Sequence, residues 1–393
     1  MTDANIRPQH SVLGASASPR YMNCPGSVNM ARGVPEGKSS HYAEEGTAAH
    51  SLGDQLLASF DDAADHLGAT ITTDEGSEFI VSQNMADAVQ VYIDHCRPLI
   101  TEADVWGSEV AVDLAPYLSF NNVQAEAWGT TDFYAAVRKT LYVTDYKHGQ
   151  GVPVSPVENS QLMFYGLGCL LLAKQHEQAV TEVVLTVVQP RTGSPEPESW
   201  AISAADLTAW GMGVLVPAMA ATLEPTAPLQ TGSWCRWCPG RIRCPALKAE
   251  ALAAAKMEFS PLPPTPHDMT DDELGQVLDR VEVMDLFIKA CRGEASARLD
   301  DGKKVPGWKL VPKRAVRKWK DPGTAGSVLA DLPEAWNTPT LKSVAQIEKV
   351  IDKADWPSLE KDLVEKVSSG STMVPDGDPR QRIESLPKGS EFL

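Results

Sequence analysis

The chain has 393 residues, with 35 Lys and Arg against 52 Asp and Glu, a formal charge of −17 and 43% hydrophobic residues. That length suits one large core and a second, smaller unit, and the acidic balance excludes a protein that is basic all over and holds nucleic acid by charge alone, although binding depends on where the cations sit. The most apolar run, LMFYGLGCLLLA (162–173), is too short to cross a bilayer, the opening MTDANIRPQHS lacks the pattern of a secretory signal, and seven cysteines do not make a disulfide framework. The expectation is a cytoplasmic protein with no membrane role, in a reducing compartment where clustered cysteines point to metal chemistry.

The first forty residues read as loop, with ASPRYMNCPGS leading into a short helix. Residues 41–60, HYAEEGTAAHSLGDQLLASF, have helical spacing and set Gly46 and His50 four apart on one face. A second amphipathic helix is predicted from about 81 to 100. Strands follow at 105–114, 125–137 and 140–147, the last two close enough to form a hairpin. An apolar helix (about 159–174), a strand buried on both faces (182–190), a further strand (198–203) and an Ala-rich helix (about 204–223) complete the region. Strands with helices between them predict an α/β core around a central mixed sheet.

WCRWCPGRIRC (234–244) and a helix to about 257 come next, so residues 1–257 are read as one domain including the cysteines. The Pro-rich segment 258–269 reads as a linker, because its prolines cannot continue a helix. Residues 270–366 read as a smaller α+β region: a helix (about 270–299), a basic hairpin (301–320) and shorter helices (344–366). Residues 367–393 read as a flexible tail. The hairpin holds eight Lys or Arg against one Asp, and Lys313, Arg314, Arg317 and Lys318 lie between Trp308 and Trp319. Cations interleaved with aromatics suit nucleic acid; a solvated charged face explains the pattern equally well.

VTDYKHGQG (143–151) places Asp145 and Lys147 on the same face of a strand. By itself that is an ordinary ion pair. Asp132, in GTTDF on the preceding strand, reaches Asp145 across a short hairpin, and two carboxylates sharing an open site suit Mg²⁺ or Mn²⁺, which accept phosphate oxygens. Lys147 beside them would orient a water or steady charge on a phosphate. Gln161 and Tyr165 project from one stripe of an apolar helix and need partners or a cleft.

EEGTAAH, GTTDF, DYK and QLMFY, in that order, resemble the GxxxH, GxxD, (D/E)xK and QxxxY signatures of RecB-type nucleases in the PD-(D/E)XK superfamily. The closer resemblance is to uncharacterised phage and prophage members, which share openings like ASPRYMNCPGS and the later VPGWKLV and RKW, over roughly 14–320. It implies a restriction-endonuclease-like core and a metal-dependent deoxyribonuclease, acting on ends or single strands in phage recombination, repair or replication inside a bacterial host. His50, Asp132 and Asp145 would bind metal, with the Tyr146 carbonyl a further ligand and Glu109 a looser match. Lys147 would be the catalytic lysine, and Gln161 and Tyr165 would position substrate or the lysine. Glu45 reads as a cap or surface residue.

The cysteines Cys235, Cys238 and Cys244 need a fourth ligand for a closed site, and Cys24, in a second Cys-Pro pair, is the candidate. Cys96, Cys169 and Cys291 read as core residues. Ligand identity alone leaves zinc and an iron–sulfur cluster open, and the spacing leans to zinc. The resemblance implies a [4Fe-4S] cluster that staples the cysteine-bearing C-terminal edge of the core to its start. It also implies DNA as partner, with phage single-strand-binding or annealing proteins, and leaves a homo-oligomer open. A non-catalytic DNA-binding accessory protein that keeps the nuclease fold is the alternative, followed by a zinc-stapled scaffold.

Overall fold

In this computed structural model the described residues are 11–34, 40–150, 153–192, 196–255, 269–312, 316–330, 332, 335–337, 340–341, 344–347, 351, 356–367 and 371–375. They divide into two compact units, Met1–Phe287 and Ile288–Leu393.

In the first unit a 3-10 turn (Ala15–Ala17) leads into α1 (Ser18–Asn23), α2 (Gly26–Ala31) and the long α3 (His41–Ser59). The small strands β1 (Thr70–Thr72) and β2 (Glu78–Ile80) form a hairpin, and α4 (Gln83–Glu102) follows. Next come β3 (Val105–Asp113), α5 (Ala115–Phe120), β4 (Trp128–Val137), β5 (Thr140–Tyr146), α6 (Ser160–Gln175), β6 (Glu182–Val188) and β7 (Glu198–Ser203). Side-chain oxygens set the helix starts. Ser40 accepts from the Ala43 N–H, Ser82 from Met85, Asn159 from Gln161 and Leu162, and Ser203 from Asp206. Each satisfies an amide that the first helical turn leaves without a carbonyl.

Strands β3 to β7 build one mixed sheet in sequence order. All pairs are antiparallel except β5 with β6, where Asp145 stands beside Val187. A parallel pair needs a crossover, and α6 supplies it. One face of the sheet buries Leu141, Val143, Val183 and Leu185 against Leu162, Phe164 and Leu167 of α6. The opposite face buries Phe133, Ala135 and Tyr146 against Leu52 and Leu56 of α3 and Val89 and Ile93 of α4. This is the mixed α/β sheet flanked by helices that the pattern of elements predicts. Gly168 lets α6 lie flat on the sheet, since a Cβ there would sit 2.4 Å from the Cβ of Val112.

The expected helix over 204–223 is split into α7 (Ala204–Trp210), a π-helical turn (Gly211–Leu215) and α8 (Val216–Ala221). Among the described residues, 204–221 is the one helical stretch long and apolar enough to cross a membrane, yet Leu207, Leu215, Val216 and Met219 are buried in the core. Two short 3-10 turns then carry the cysteines, followed by α9 (Pro245–Ala255) and α10 (Asp271–Asp300). The expected linker lies largely outside the described residues. The division between units falls within α10, because Val283, Leu286 and Phe287 pack with Leu247 and Cys235. Cys96 and Cys169 are buried as expected; Cys291 is exposed, on a turn of α10 that the core does not cover.

The second unit contains β8 (Trp308–Pro312), β9 (Val316–Trp319), α11 (Pro322–Val328), β10 (Trp336–Asn337), β11 (Thr340–Leu341), α12 (Val344–Ile347), α13 (Trp356–Leu363), β12 (Val364–Val367) and β13 (Ser371–Pro375). The basic hairpin expected over 301–320 does not form: β8 pairs with β13, and β9 with β12. A stretch read as flexible tail therefore supplies β13, whose backbone hydrogen bonds occupy the edge of β8. Lys313 and Arg314 lie outside the described residues. Arg317 and Lys318 are on β9, opposite Lys366 and Glu365.

Candidate active site

The site gathers where β5 ends, beside the middle of β3 and β4 and His50 of α3. The β4–β5 ladder runs to Phe133 opposite Thr144, so Asp132 is the next residue on β4 and faces Asp145. Asp132 continues the ladder with its side chain: its Oδ2 accepts the Tyr146 N–H at 2.7 Å. Tyr92 of α4 donates its hydroxyl to the Asp132 carbonyl at 3.2 Å, fixing the backbone from the other side.

On β3, Ser108 faces Phe133 and Val110 faces Thr131, so Glu109 stands opposite Asp132 with no residue inserted, and the ladder is interrupted there by its left-handed φ of 48°. Left-handed backbone is unfavourable for a side chain other than glycine's, and such strained residues cluster at functional sites. Here the strained residue carries its side chain to His50. His50 Nδ1 is 3.6 Å from Glu109 Oε1 and 3.5 Å from Asp132 Oδ1. Among the described residues these three alone bring metal-ligating atoms within 4.8 Å of one another. The His50 ring is held edge-on to Tyr146, with centroids 5.3 Å apart. Burial lowers the His50 pKa, but Asp132, Glu109 and Asp145 outweigh it and raise the group to about 9. Burial raises the Asp132 carboxyl well above the ordinary range, with the Asp145 charge adding to it and His50 opposing.

Asp145 is buried, and its oxygens are already engaged. Oδ2 lies 2.8 Å and Oδ1 2.9 Å from Lys147 Nζ, and Gln161 Nε2 donates to Oδ1 at 3.3 Å. Gln161 also donates to the Tyr165 hydroxyl at 3.4 Å. The six expected residues His50, Asp132, Asp145, Lys147, Gln161 and Tyr165 thus meet in one place. The arrangement differs in one respect: Glu109, the looser match, completes the tight group, whereas Asp145 stands outside it, paired with Lys147. Tyr146 enters through its amide and its ring. Burial lowers the Lys147 pKa, yet Asp145 and Asp132 more than reverse this and raise it, so the side chain is an ammonium.

Three residues were missed or misread from the sequence. Glu45 is not a surface acid: its Oε1 is 3.2 Å from Arg191 and 3.5 Å from His148 Nε2. Arg191 also donates to the His148 carbonyl at 3.2 Å, and His148 Nδ1 lies 2.8 Å from the Tyr146 hydroxyl. Burial and the Arg191 charge hold His148 well below its usual pKa. This cluster clamps α3, one turn before His50, to the segment that follows Lys147. No short motif in the sequence announces it.

Cys24, Cys235, Cys238 and Cys244 line one small cavity, with Met30, Leu229 and Leu247 around it. The Gln230 N–H points at Cys24 Sγ, 3.3 Å away. Burial raises the Cys235 and Cys238 thiols, and for both the other cavity thiols add to it. The opening segment is bound closely to this region: Gly26 donates to the Pro228 carbonyl at 2.9 Å, and a Cβ on Gly26 would lie 2.5 Å from the Ala227 carbonyl oxygen.

Among solved structures the chain is similar to the crystal structure of SSO0001, at 12% identity over 56% of this chain and 95% of that chain, with a TM-score of 0.25. At that score the likeness carries no argument. Residues 10–381 match a family described as protein of unknown function (DUF2800), and the chain belongs to that family.

Proposed function

We propose that this protein is a divalent-metal-dependent deoxyribonuclease with a RecB-type PD-(D/E)XK centre. The observation that carries the reading is the convergence of His50, Glu109 and Asp132 beside a buried Asp145–Lys147 pair. Adjacent ligands around Mg²⁺ at 2.0–2.1 Å lie about 3 Å apart. The separations of 3.5 and 3.6 Å from His50 are of that order, and an imidazole with two carboxylates is a donor set that suits Mg²⁺ or Mn²⁺. A bound cation would supply Lewis acidity toward the phosphate and make a water more acidic.

The protein's own groups do the rest. His50, Glu109 and Asp132 would hold the cation, with the Asp145–Lys147 pair beside them. Lys147, as an ammonium, donates to a phosphate oxygen and offsets the charge that builds there. Gln161 and Tyr165 orient Asp145. The Glu45–Arg191–His148 clamp keeps α3 and the strand end in register.

At the four cysteines the thiol separations support a [4Fe-4S] cluster over zinc. Tetrahedral zinc with 2.3 Å bonds needs sulfurs about 3.8 Å apart. No three of these thiols fall within 4.8 Å of one another. A [4Fe-4S] cluster there would tie the chain's start to residues 235–244 and leave hydrolysis free of redox change.

The test is anaerobic purification followed by digestion of end-labelled single-stranded and duplex DNA with Mg²⁺ or Mn²⁺. Asp145→Ala and Lys147→Ala are expected to abolish metal-dependent degradation while the circular dichroism spectrum is kept. Unchanged cutting by both variants removes the reading. Iron and acid-labile sulfide in the wild type, lost in Cys235→Ser, would support the cluster; zinc without iron would replace it.

A further inference from the structure

Beside the cysteine cavity lies an open groove of about 360 Å³, lined by Ser16, Ala17, Arg20, Trp234, Trp237 and Pro239. We propose that this groove is a stacking subsite for a base of single-stranded nucleic acid, with Trp237 as the platform. The inference rests on the reading of the neighbouring site as one that takes nucleic acid.

Trp237 is 77% exposed, an unusual state for so large an apolar ring. Its backbone is nonetheless fixed, because it sits in a 3-10 turn between Cys235 and Cys238, each 6% exposed. With its backbone already ordered, the ring has less freedom to lose when a base covers it. Trp234 forms a second, fixed aromatic wall, since its indole N–H donates to the Gln230 carbonyl at 3.0 Å. Arg20 brings a planar cation to the same groove, tethered by donation to Ser27 Oγ at 2.9 Å.

Charge selects the occupant. From Pro225 to Ala249 the chain carries Arg236, Arg241, Arg243 and Lys248 and no acid, in a protein whose formal charge is −17. A local basic field around an exposed indole suits a phosphate backbone with unstacked bases. Position agrees: Ser18 Oγ, in the segment that lines the groove, is 2.8 Å from Ser160 Oγ, and the next residue of α6, Gln161, reaches Asp145. Those contacts join the segment that lines the groove to the helix that carries Gln161 into the candidate site.

The experiment uses the full-length protein in EDTA, so that nothing is cut, with a fluorescein-labelled oligothymidine and the same oligonucleotide carrying abasic sites. Anisotropy is expected to show affinity for oligothymidine reduced roughly 5- to 100-fold by Trp237→Ala and largely kept by Trp237→Phe. The wild type is expected to prefer the intact strand over the abasic one, and Trp237→Ala to lose that preference with an unchanged salt slope. Equal binding by wild type and Trp237→Ala, an abasic penalty that survives in Trp237→Ala, or no binding by the wild type would each overturn the subsite. So would a Trp237-dependent dimer in sedimentation, which would make the ring an interface between copies. Because binding is read without metal, a wild type that never cuts but loses affinity on Trp237→Ala defeats hydrolysis and keeps the subsite. A cutting wild type with unaltered Trp237→Ala binding does the reverse.

Discussion

Replacing Lys147 with methionine isolates the electrostatics of the site from its chemistry. The Asp145 side chain is 4% exposed and takes both of its short contacts from Lys147 Nζ, at 2.8 and 2.9 Å, leaving only the 3.3 Å donation from Gln161. Removing one partner of a fully buried ion pair costs about 3–5 kcal/mol, because the other charge stays buried without compensation. The Lys147 side chain is 29% exposed, so water replaces part of its effect and about 2–3 kcal/mol is the expected loss. For a unit of this size that corresponds to a melting temperature lower by roughly 3–5 °C. Scanning calorimetry in EDTA at pH 7.5 reads it directly. The double variant Asp145→Asn, Lys147→Met removes the orphaned charge and should recover at least half of the loss. If Lys147→Met melts within 1 °C of the wild type, Asp145 is not held as a buried carboxylate, and the electrostatic account of the site fails.

Glu109→Gly removes a ligand and a strained residue together. Relief of the left-handed backbone at 109 should raise stability in EDTA by about 1 kcal/mol, read as a higher melting temperature, while titration calorimetry shows Mn²⁺ binding weakened; a less stable variant with intact binding would contradict both the strain and the proposed ligand role of Glu109. His50 has a folded pKa raised from 6.5 to about 9, so its stabilising contribution is complete below 6.5 and disappears as pH rises through about 9. The metal-free melting temperature should fall across that window and fall less in His50→Gln. Because a cation must displace the His50 proton, Mn²⁺ affinity should strengthen over the same range, with proton release visible as buffer-dependent heats. Gly168→Ala forces a Cβ to 2.4 Å from Val112 and should destabilise by about 1–3 kcal/mol, whereas Gly213→Ala, with nothing within 4 Å, should leave the melting temperature unchanged or slightly higher.

The long elements were legible because burial and periodicity agree in them. Helix α3 and strands β4 and β5 fall within a few residues of their expected limits, and the pairing of β4 with β5 follows from the two-residue gap between them. Bringing His50, Asp132, Asp145, Lys147, Gln161 and Tyr165 together follows from that register and from the crossover through α6. Glu109 was seen only loosely, because one left-handed residue inside an otherwise regular strand leaves no mark in the pattern of the sequence. Glu45, His148 and Arg191 escaped for another reason: Glu45 and Arg191 are 146 positions apart, and nothing local marks an ion pair closed across such a span. The second unit was the least legible, since β8 and β9 each take a partner from beyond residue 363. Pairing at that separation is decided by edge availability, on which composition is silent.

The stapling of residues 11–34 to residues 224–244 also bears on synthesis. Gly26 needs the Pro228 carbonyl, the Asn29 side chain the Glu224 carbonyl, and Arg243 reaches back to the Gly33 carbonyl. A nascent chain therefore emerges with its first helices lacking their seat until some two hundred further residues have left the ribosome. Until then the cavity thiols lie in two separate pieces of chain, and any inorganic group they bind together can be loaded only onto a nearly finished polypeptide.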